Sequence, residues 1–208
     1  MKLFPNCRTS LLAIPALLIA TPAWAHHVMG GRLPSTFLEG LLSGLGHPVL
    51  GPEHLGFLIA VAVVVGACGL SLALPALFIV AMAMGVSAHV AGFALPAAEI
   101  VVALSTLLAG CLIMAGRMLP TAAWGALFAV AGFFHGYAFG ESIYGAETAP
   151  LAAYLIGLVA VQSALAVGIA LFVRRVGGRV SAPIPRLAGA AVFGMGFAVL
   201  IGQLVPAV

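Results

Sequence analysis

Long apolar stretches run through most of this sequence, and they constrain its fold more than any other feature. An α-helix needs about 20 predominantly apolar residues to cross the hydrocarbon core of a bilayer. Residues 55–67, for example, contain no charge at all. Charged residues make up 6% of the chain, whereas soluble domains carry about 25%. A soluble globular domain is therefore excluded, and the packing problem is that of helices in lipid.

Hydropathy over windows of about 19 residues predicts six transmembrane helices. They cover residues 52–69, 72–95, 97–116, 122–139, 149–173 and 187–205. Residues 32–46 are too short and too rich in glycine to span, so they predict an interfacial segment. The expected fold is an all-α polytopic membrane protein, a bundle of six transmembrane helices behind a cleavable signal peptide.

The signal peptide is predicted at residues 1–25, which have the three parts of a secretory signal. Lys2 and Arg8 supply a positive start, a short apolar core follows, and Ala23-Trp24-Ala25 is a small-x-small cleavage site. The remaining residues, 26–208, are expected to form one transmembrane domain.

Two signals give the same orientation. A cleaved signal places the mature N-terminus outside the cytoplasm, and an even number of spans places the C-terminus there too. The predicted cytoplasmic segments then carry most of the arginines, as the positive-inside rule requires. These are Arg117, Arg174, Arg175, Arg179 and Arg186. We therefore expect a bacterial inner-membrane protein, embedded in lipid, with both mature termini in the periplasm.

Histidine and glutamate side chains gather at the outer side of the predicted spans. The set comprises His47, Glu53, His54, His89, Glu99, His135 and Glu141. A charge at mid-span costs about 2.5–3.5 kcal/mol on insertion scales, so such groups persist where they pair, line water or bind something. The set contains no lysine or arginine, so it attracts cations. Imidazole combined with carboxylate suits Ni²⁺, Co²⁺, Zn²⁺ and Cu²⁺.

The other polar residues and the cysteines have simpler interpretations. Glu39 and Glu147 are predicted to be solvated loop charges, and Cys68 and Cys111 to be small apolar fillers toward the cytoplasmic side. The sequence contains neither H-E-x-x-H nor G-x-S-x-G, and no ATP-binding loop. The small basic excess gives no indication of nucleic-acid binding. We therefore expect neither an enzyme nor a permanently bound cofactor.

Small residues at four-residue spacing predict close helix contacts, because they let backbones approach. Three such faces are Gly132, Gly136 and Gly140; Gly157, Ala160, Ala164 and Gly168; and Ala190, Gly194, Ala198 and Gly202. The alternative is that glycine and alanine are simply common in membrane helices.

Four features resemble the HupE/UreJ family of bacterial nickel/cobalt permeases. They are the signal peptide that ends just before a histidine, the block His47-Pro48…Gly51-x-Glu53-His54, Glu99 with Ser105, and the run FHGYAFGE at residues 134–141. The resemblance covers essentially the whole predicted mature chain.

This resemblance implies nickel or cobalt import, often connected with hydrogenase or urease maturation, whose proteins are then the implied partners. The matching residues are His47, Glu53, His54, Glu99, His135 and Glu141. Two positions depart from the family pattern. Glu53 stands where the family usually has aspartate, and Phe139 where it usually has a histidine one helical turn from the match to His135. The second change removes a ligand, which His89 is the candidate to replace.

The leading hypothesis is a secondary permease that imports a divalent transition metal, Ni²⁺ or Co²⁺ first, as its substrate. His47, Glu53 and His54 would capture the ion, and the other four residues of the set would then partly replace its hydration shell. The first alternative is a metal-binding membrane protein that does not transport, such as a sensor or an accessory subunit. The second is an intramembrane metal-dependent hydrolase that activates water.

Overall fold

The computed structural model describes residues 32–176 and 179–205, and every regular element in these two ranges is an α-helix. The described helices are α1 (Phe37–Leu50), α2 (Pro52–Ala67), α3 (Ala73–Val90), α4 (Ala98–Met114), α5 (Thr121–Glu141), α6 (Thr148–Arg175) and α7 (Pro183–Leu204). Six of them lie where the sequence predicts spans. The predicted signal peptide, residues 1–25, lies outside the described residues.

Not every described helix is long and apolar enough to cross a membrane by itself. Of the described helices, α3, α5, α6 and α7 are each long and apolar enough to cross a bilayer. The helices α1 and α2 pass the same test only together, as a pair bent by 76°. Helix α4 is apolar but has 17 residues. The all-helical architecture is therefore confirmed, whereas the count of six spans stays a prediction.

Helix α1 occupies most of residues 32–46, the segment predicted to be interfacial, and its position relative to the membrane stays a prediction. Gly40 packs against the backbone of Pro150, and Gly44 against that of Tyr154, so α1 runs alongside the start of α6 in the same direction. A capping box between Thr36 and Glu39 starts the helix, so Glu39 is not a loop charge. The apolar length of α1 becomes sufficient for a span only together with α2, so the bent pair has the form of a broken span or of a re-entrant loop.

Glycines hold the helices in three closely packed pairs, which are α3–α5, α4–α7 and α1–α6. In the first pair, a Cβ on Gly136 would collide with the carbonyl of Met82, and one on Gly85 with the carbonyl of Phe133. The predicted face through Gly132, Gly136 and Gly140 is thus confirmed, because all three pack on α3.

The other two predicted faces are wrong in part. Helix α7 packs on α4 through Gly189 and Gly196, whereas a Cβ on Gly202 would meet nothing. In α6, Gly157 packs on α1, but Gly168 faces open space. Spacing alone does not identify the buried face when a helix carries small residues on several sides.

From α2 to α7 successive helices alternate in direction, and histidines and arginines lie toward opposite ends of the bundle. At one end Gly140 packs against His89, where α5 and α3 finish. At the other, Arg186 Nε donates to the carbonyl of Met114 at 2.9 Å, and Arg174 donates to that of Leu70. We refer to these as the histidine end and the arginine end. Which end faces the periplasm stays a prediction.

Candidate metal-binding site

The site is built around the break between α1 and α2. Pro52 occupies the first turn of α2, and a proline disfavours the helical conformation in the residue before it. Gly51 is accordingly extended, with φ −84° and ψ 107°. A Cβ on Gly51 would lie 2.7 Å from Cδ2 of His54, so the glycine leaves room for that imidazole. His47, Glu53 and His54 flank the break, and all are at most 6% exposed.

Side chains from three helices meet next to this break. Nδ1 of His54 lies 2.9 Å from Nδ1 of His135, and Nε2 of His135 lies 3.1 Å from the Ser105 hydroxyl. On the other side, Nε2 of His54 lies 3.4 Å from the Glu53 carboxylate. A continuous series of polar contacts therefore joins α4, α5 and α2, with His135 fully buried at its centre.

His47 is held by a second group of hydroxyls. Its Nδ1 lies 3.0 Å from the Ser142 hydroxyl and 3.1 Å from the Tyr154 hydroxyl. Tyr154 and Ser142 also donate to the carbonyl of Phe139, at 2.9 and 3.0 Å. Sequence reasoning missed both hydroxyls. The available signal was a tyrosine within the apolar part of a predicted span, because a buried tyrosine hydroxyl usually has a hydrogen-bond partner.

Phe139 fills the space between the two histidines on either side of the break. Its ring centroid lies 4.2 Å from that of His54 and 5.0 Å from that of His47, and the side chain is 1% exposed. Phe139, which stands where the family resemblance implies a histidine, is thus in direct contact with the imidazoles of both His47 and His54.

His89, Glu99 and Glu141 lie nearer the helix ends. Glu99 is in the first turn of α4, and its negative charge interacts with those of Glu53 and Glu141. The ring of His89 contacts those of Tyr137 and Tyr144, at centroid distances of 4.5 and 5.7 Å. Among the described residues, no ring contact joins His89 to the other histidines, so its role as a replacement ligand stays a prediction.

The predicted set therefore divides into an inner group and an outer group. The inner group consists of His47, Glu53, His54 and His135; the outer group of His89, Glu99 and Glu141. His135 lies nearly two turns before the end of α5, about 9 Å at 1.5 Å per residue. The inner group is thus well below the histidine end of the bundle.

The side chains of this set are not arranged as a complete metal site. Within residues 32–176 and 179–205, no three histidine, cysteine or glutamate side chains stand close enough to hold one ion. Cys68 contributes nothing here, because its thiol lies 3.0 Å from the Met118 sulfur near the arginine end. The metal-binding role of the set stays a prediction.

Comparison with known proteins agrees with the resemblance seen in the motifs. The family model described as HupE / UreJ protein matches residues 14–199. A curated relative, "Protein HupE" of Rhizobium leguminosarum bv. viciae, is 30% identical over 187 residues, which cover 88% of this chain and 94% of the relative. No solved structure matches the chain. The match over most of the sequence shows that this chain belongs to the HupE/UreJ family.

Proposed function

We propose that the chain is a secondary permease that imports a divalent transition metal, Ni²⁺ or Co²⁺ first, across the bacterial inner membrane. The proposal includes six spans, with α1 and α2 forming one broken span, and mature termini in the periplasm. The observation that carries it is the direct contact of His54 and His135, brought from two helices into the bundle interior. Family membership supports it, because the HupE/UreJ family is associated with nickel and cobalt transport.

The contact between the two histidines is compatible with a shared ion. The two Nδ1 atoms are 2.9 Å apart, which is a hydrogen-bond distance. Metal–nitrogen bonds of about 2.0–2.1 Å would place two ligating nitrogens about 2.9–3.4 Å apart, so the pair needs little rearrangement to share a cation. The choice of Ni²⁺ or Co²⁺ comes from the family and not from this distance.

Charge guides the ion inward in this mechanism. Glu99 and Glu141 attract a hydrated cation at the histidine end, and Glu53 carries negative charge to the inner group. There the imidazoles of His54 and His135 replace part of the hydration shell, and water supplies the other ligands. Below this level the buried residues of α2 are apolar from Phe57 onward and offer no ligand, so release on the far side requires the helices to move apart.

The test is uptake of ⁶³Ni by cells that carry His54→Ala or His135→Ala. We expect a loss of at least about tenfold in each, because each variant removes one of two adjacent ligands. Glu147→Gln is the control, since Glu147 is an exposed N-cap of α6. The amount of protein in the membrane is matched by immunoblot. Undiminished uptake in both histidine variants contradicts the proposal.

Phe139 favours a second candidate, a metal-binding membrane protein that does not transport. An apolar ring in contact with His47 and His54 occupies space that a third ligand would need. Purified protein in proteoliposomes separates the two functions. Metal binding without flux supports the accessory protein, whereas flux that depends on His54 supports the permease.

A further inference from the structure

His135 contacts His54 through one ring nitrogen, Nδ1, and Ser105 through the other, Nε2. The Ser105 hydroxyl lies 3.1 Å from Nε2 of His135 and donates to the carbonyl of Val102 at 2.9 Å. A hydroxyl has one hydrogen and two lone pairs, so it accepts a hydrogen bond while it donates another. When the hydrogen of Ser105 is used by Val102, the contact with His135 requires the hydrogen to be on Nε2 of the histidine.

This assignment decides which nitrogen of His135 is available as a ligand. A neutral imidazole carries a hydrogen on one nitrogen and a lone pair on the other. With the hydrogen on Nε2, the lone pair is on Nδ1, the atom that lies 2.9 Å from His54. The hydrogen between the two Nδ1 atoms then belongs to His54. Nε2 of His54 lies 3.4 Å from the Glu53 carboxylate, which only accepts, so this nitrogen carries a hydrogen too and His54 is the cation of a pair with Glu53. An ion bound by both Nδ1 atoms displaces the hydrogen between them.

We propose that Ser105 is a positioning residue, which holds His135 in the tautomer that presents the Nδ1 lone pair toward His54. Ligating histidines usually donate their other ring hydrogen to a neighbouring acceptor, and loss of that acceptor costs about 10- to 100-fold in metal affinity. The consequence for metal binding rests on the proposed function. The tautomer itself is a property of the metal-free protein.

The contact between Ser105 and His135 is buried, so water cannot easily take the place of the serine hydroxyl. Ser105 is 8% exposed and His135 is fully buried. Without the hydroxyl, Nε2 of His135 loses the acceptor that defines its tautomer, and the hydrogen is free to move to Nδ1. Ser105→Ala should therefore alter the tautomer, whereas Ser105→Thr keeps a hydroxyl at the same place and should retain it.

The experiment measures the ring nitrogens directly. The full chain is labelled with ¹⁵N-histidine, purified into nanodiscs without metal, and examined by solid-state NMR, which distinguishes the two tautomers. His135→Gln is used only to assign the signal. Ser87→Ala is the matched control, because Ser87 makes the same kind of bond to a helical carbonyl, that of Ala83, on an exposed face.

We expect the Nε2–H tautomer in the wild type, in Ser105→Thr and in Ser87→Ala, and a different or mixed tautomer in Ser105→Ala. Titration with Co²⁺, followed by visible absorption, should show the corresponding loss of about 10- to 100-fold in affinity for Ser105→Ala alone. An Nδ1–H tautomer in the wild type, or a Ser105→Ala protein with unchanged tautomer, overturns the assignment. Absence of Co²⁺ binding by the wild type overturns the proposed function instead, because the tautomer is read without metal.

Discussion

Replacing Phe139 by histidine is the sharpest test of the metal-binding interpretation. Phe139 is in contact with the rings of His47 and His54. An imidazole at this position would stand within reach of an ion held by His54, and it would restore the residue that the family pattern implies. We therefore expect Phe139→His to bind Ni²⁺ more tightly than the wild type, although the metal-free variant is less stable.

The magnitudes follow from the burial of the site. Phe139 is 1% exposed, so a smaller polar ring in its place loses van der Waals contacts, each worth about 0.1–0.2 kcal/mol per atom pair. An imidazole buried without a hydrogen bond costs about 1–3 kcal/mol more. If the added ligand raises the affinity for Ni²⁺ about 10- to 100-fold, saturating Ni²⁺ increases the free energy of unfolding by a further ~1.4–2.7 kcal/mol. The variant should thus melt well below the wild type without metal and regain part of the difference with it.

Thermal unfolding of the purified full chain in detergent, with and without Ni²⁺, measures both effects. Phe139→Leu loses the aromatic ring but gains no ligand, so it should show no added response to Ni²⁺. Phe128→His is the matched control for the substitution itself, because Phe128 is fully buried in the same helix beside Phe57. The reasoning is refuted if Ni²⁺ stabilises Phe139→His no more than the wild type, or if Phe128→His shows the same gain.

Three further predictions concern packing and pH. Tyr154→Phe removes a hydroxyl that contacts His47 and the carbonyl of Phe139, and we expect it to lower the free energy of unfolding by about 1–2 kcal/mol, measured by thermal melting. Gly136→Val should abolish the monodisperse peak in size-exclusion chromatography, because its Cβ would collide with the carbonyl of Met82, whereas Gly202→Val, at an open position, should not. Metal uptake should fall as the pH decreases, because protons compete with the ion for the imidazole nitrogens and protonated imidazole does not ligate; uptake of ⁶³Ni measured from pH 5 to 8 checks this, and a rate independent of pH contradicts it.

Hydropathy predicted six of the seven described helices, because a helix buried in lipid needs an apolar sequence whatever its neighbours are. It predicted no span at residues 32–46, where the structure has α1, and it did not predict that this helix continues through Pro48 to Leu50. That helix depends on contacts distant in sequence, in which Gly40 and Gly44 pack on the α6 backbone. A window of neighbouring residues contains no information about such a partner.

The candidate site was predictable to a similar degree. The types and depth of the ionisable residues identified His54 and His135 as members of one set, and the structure brings them into contact. Sequence could not separate His89 from them, because it gives neither the exact depth of a residue in the bundle nor the direction of its side chain; His89 lies near the end of α3 and contacts Tyr137. It also missed Tyr154, whose role comes from the position of α1 alongside α6.

The glycine contacts have a mechanical consequence for the site. Each of the three glycine-bound pairs contributes one side chain: His47 comes from α1–α6, His135 from α3–α5 and Ser105 from α4–α7. Helix α2 lies among them and supplies Glu53 and His54. The distances within the site therefore depend on how the three pairs are placed relative to one another. A ligand that binds one placement more tightly than another would shift the pairs toward that placement.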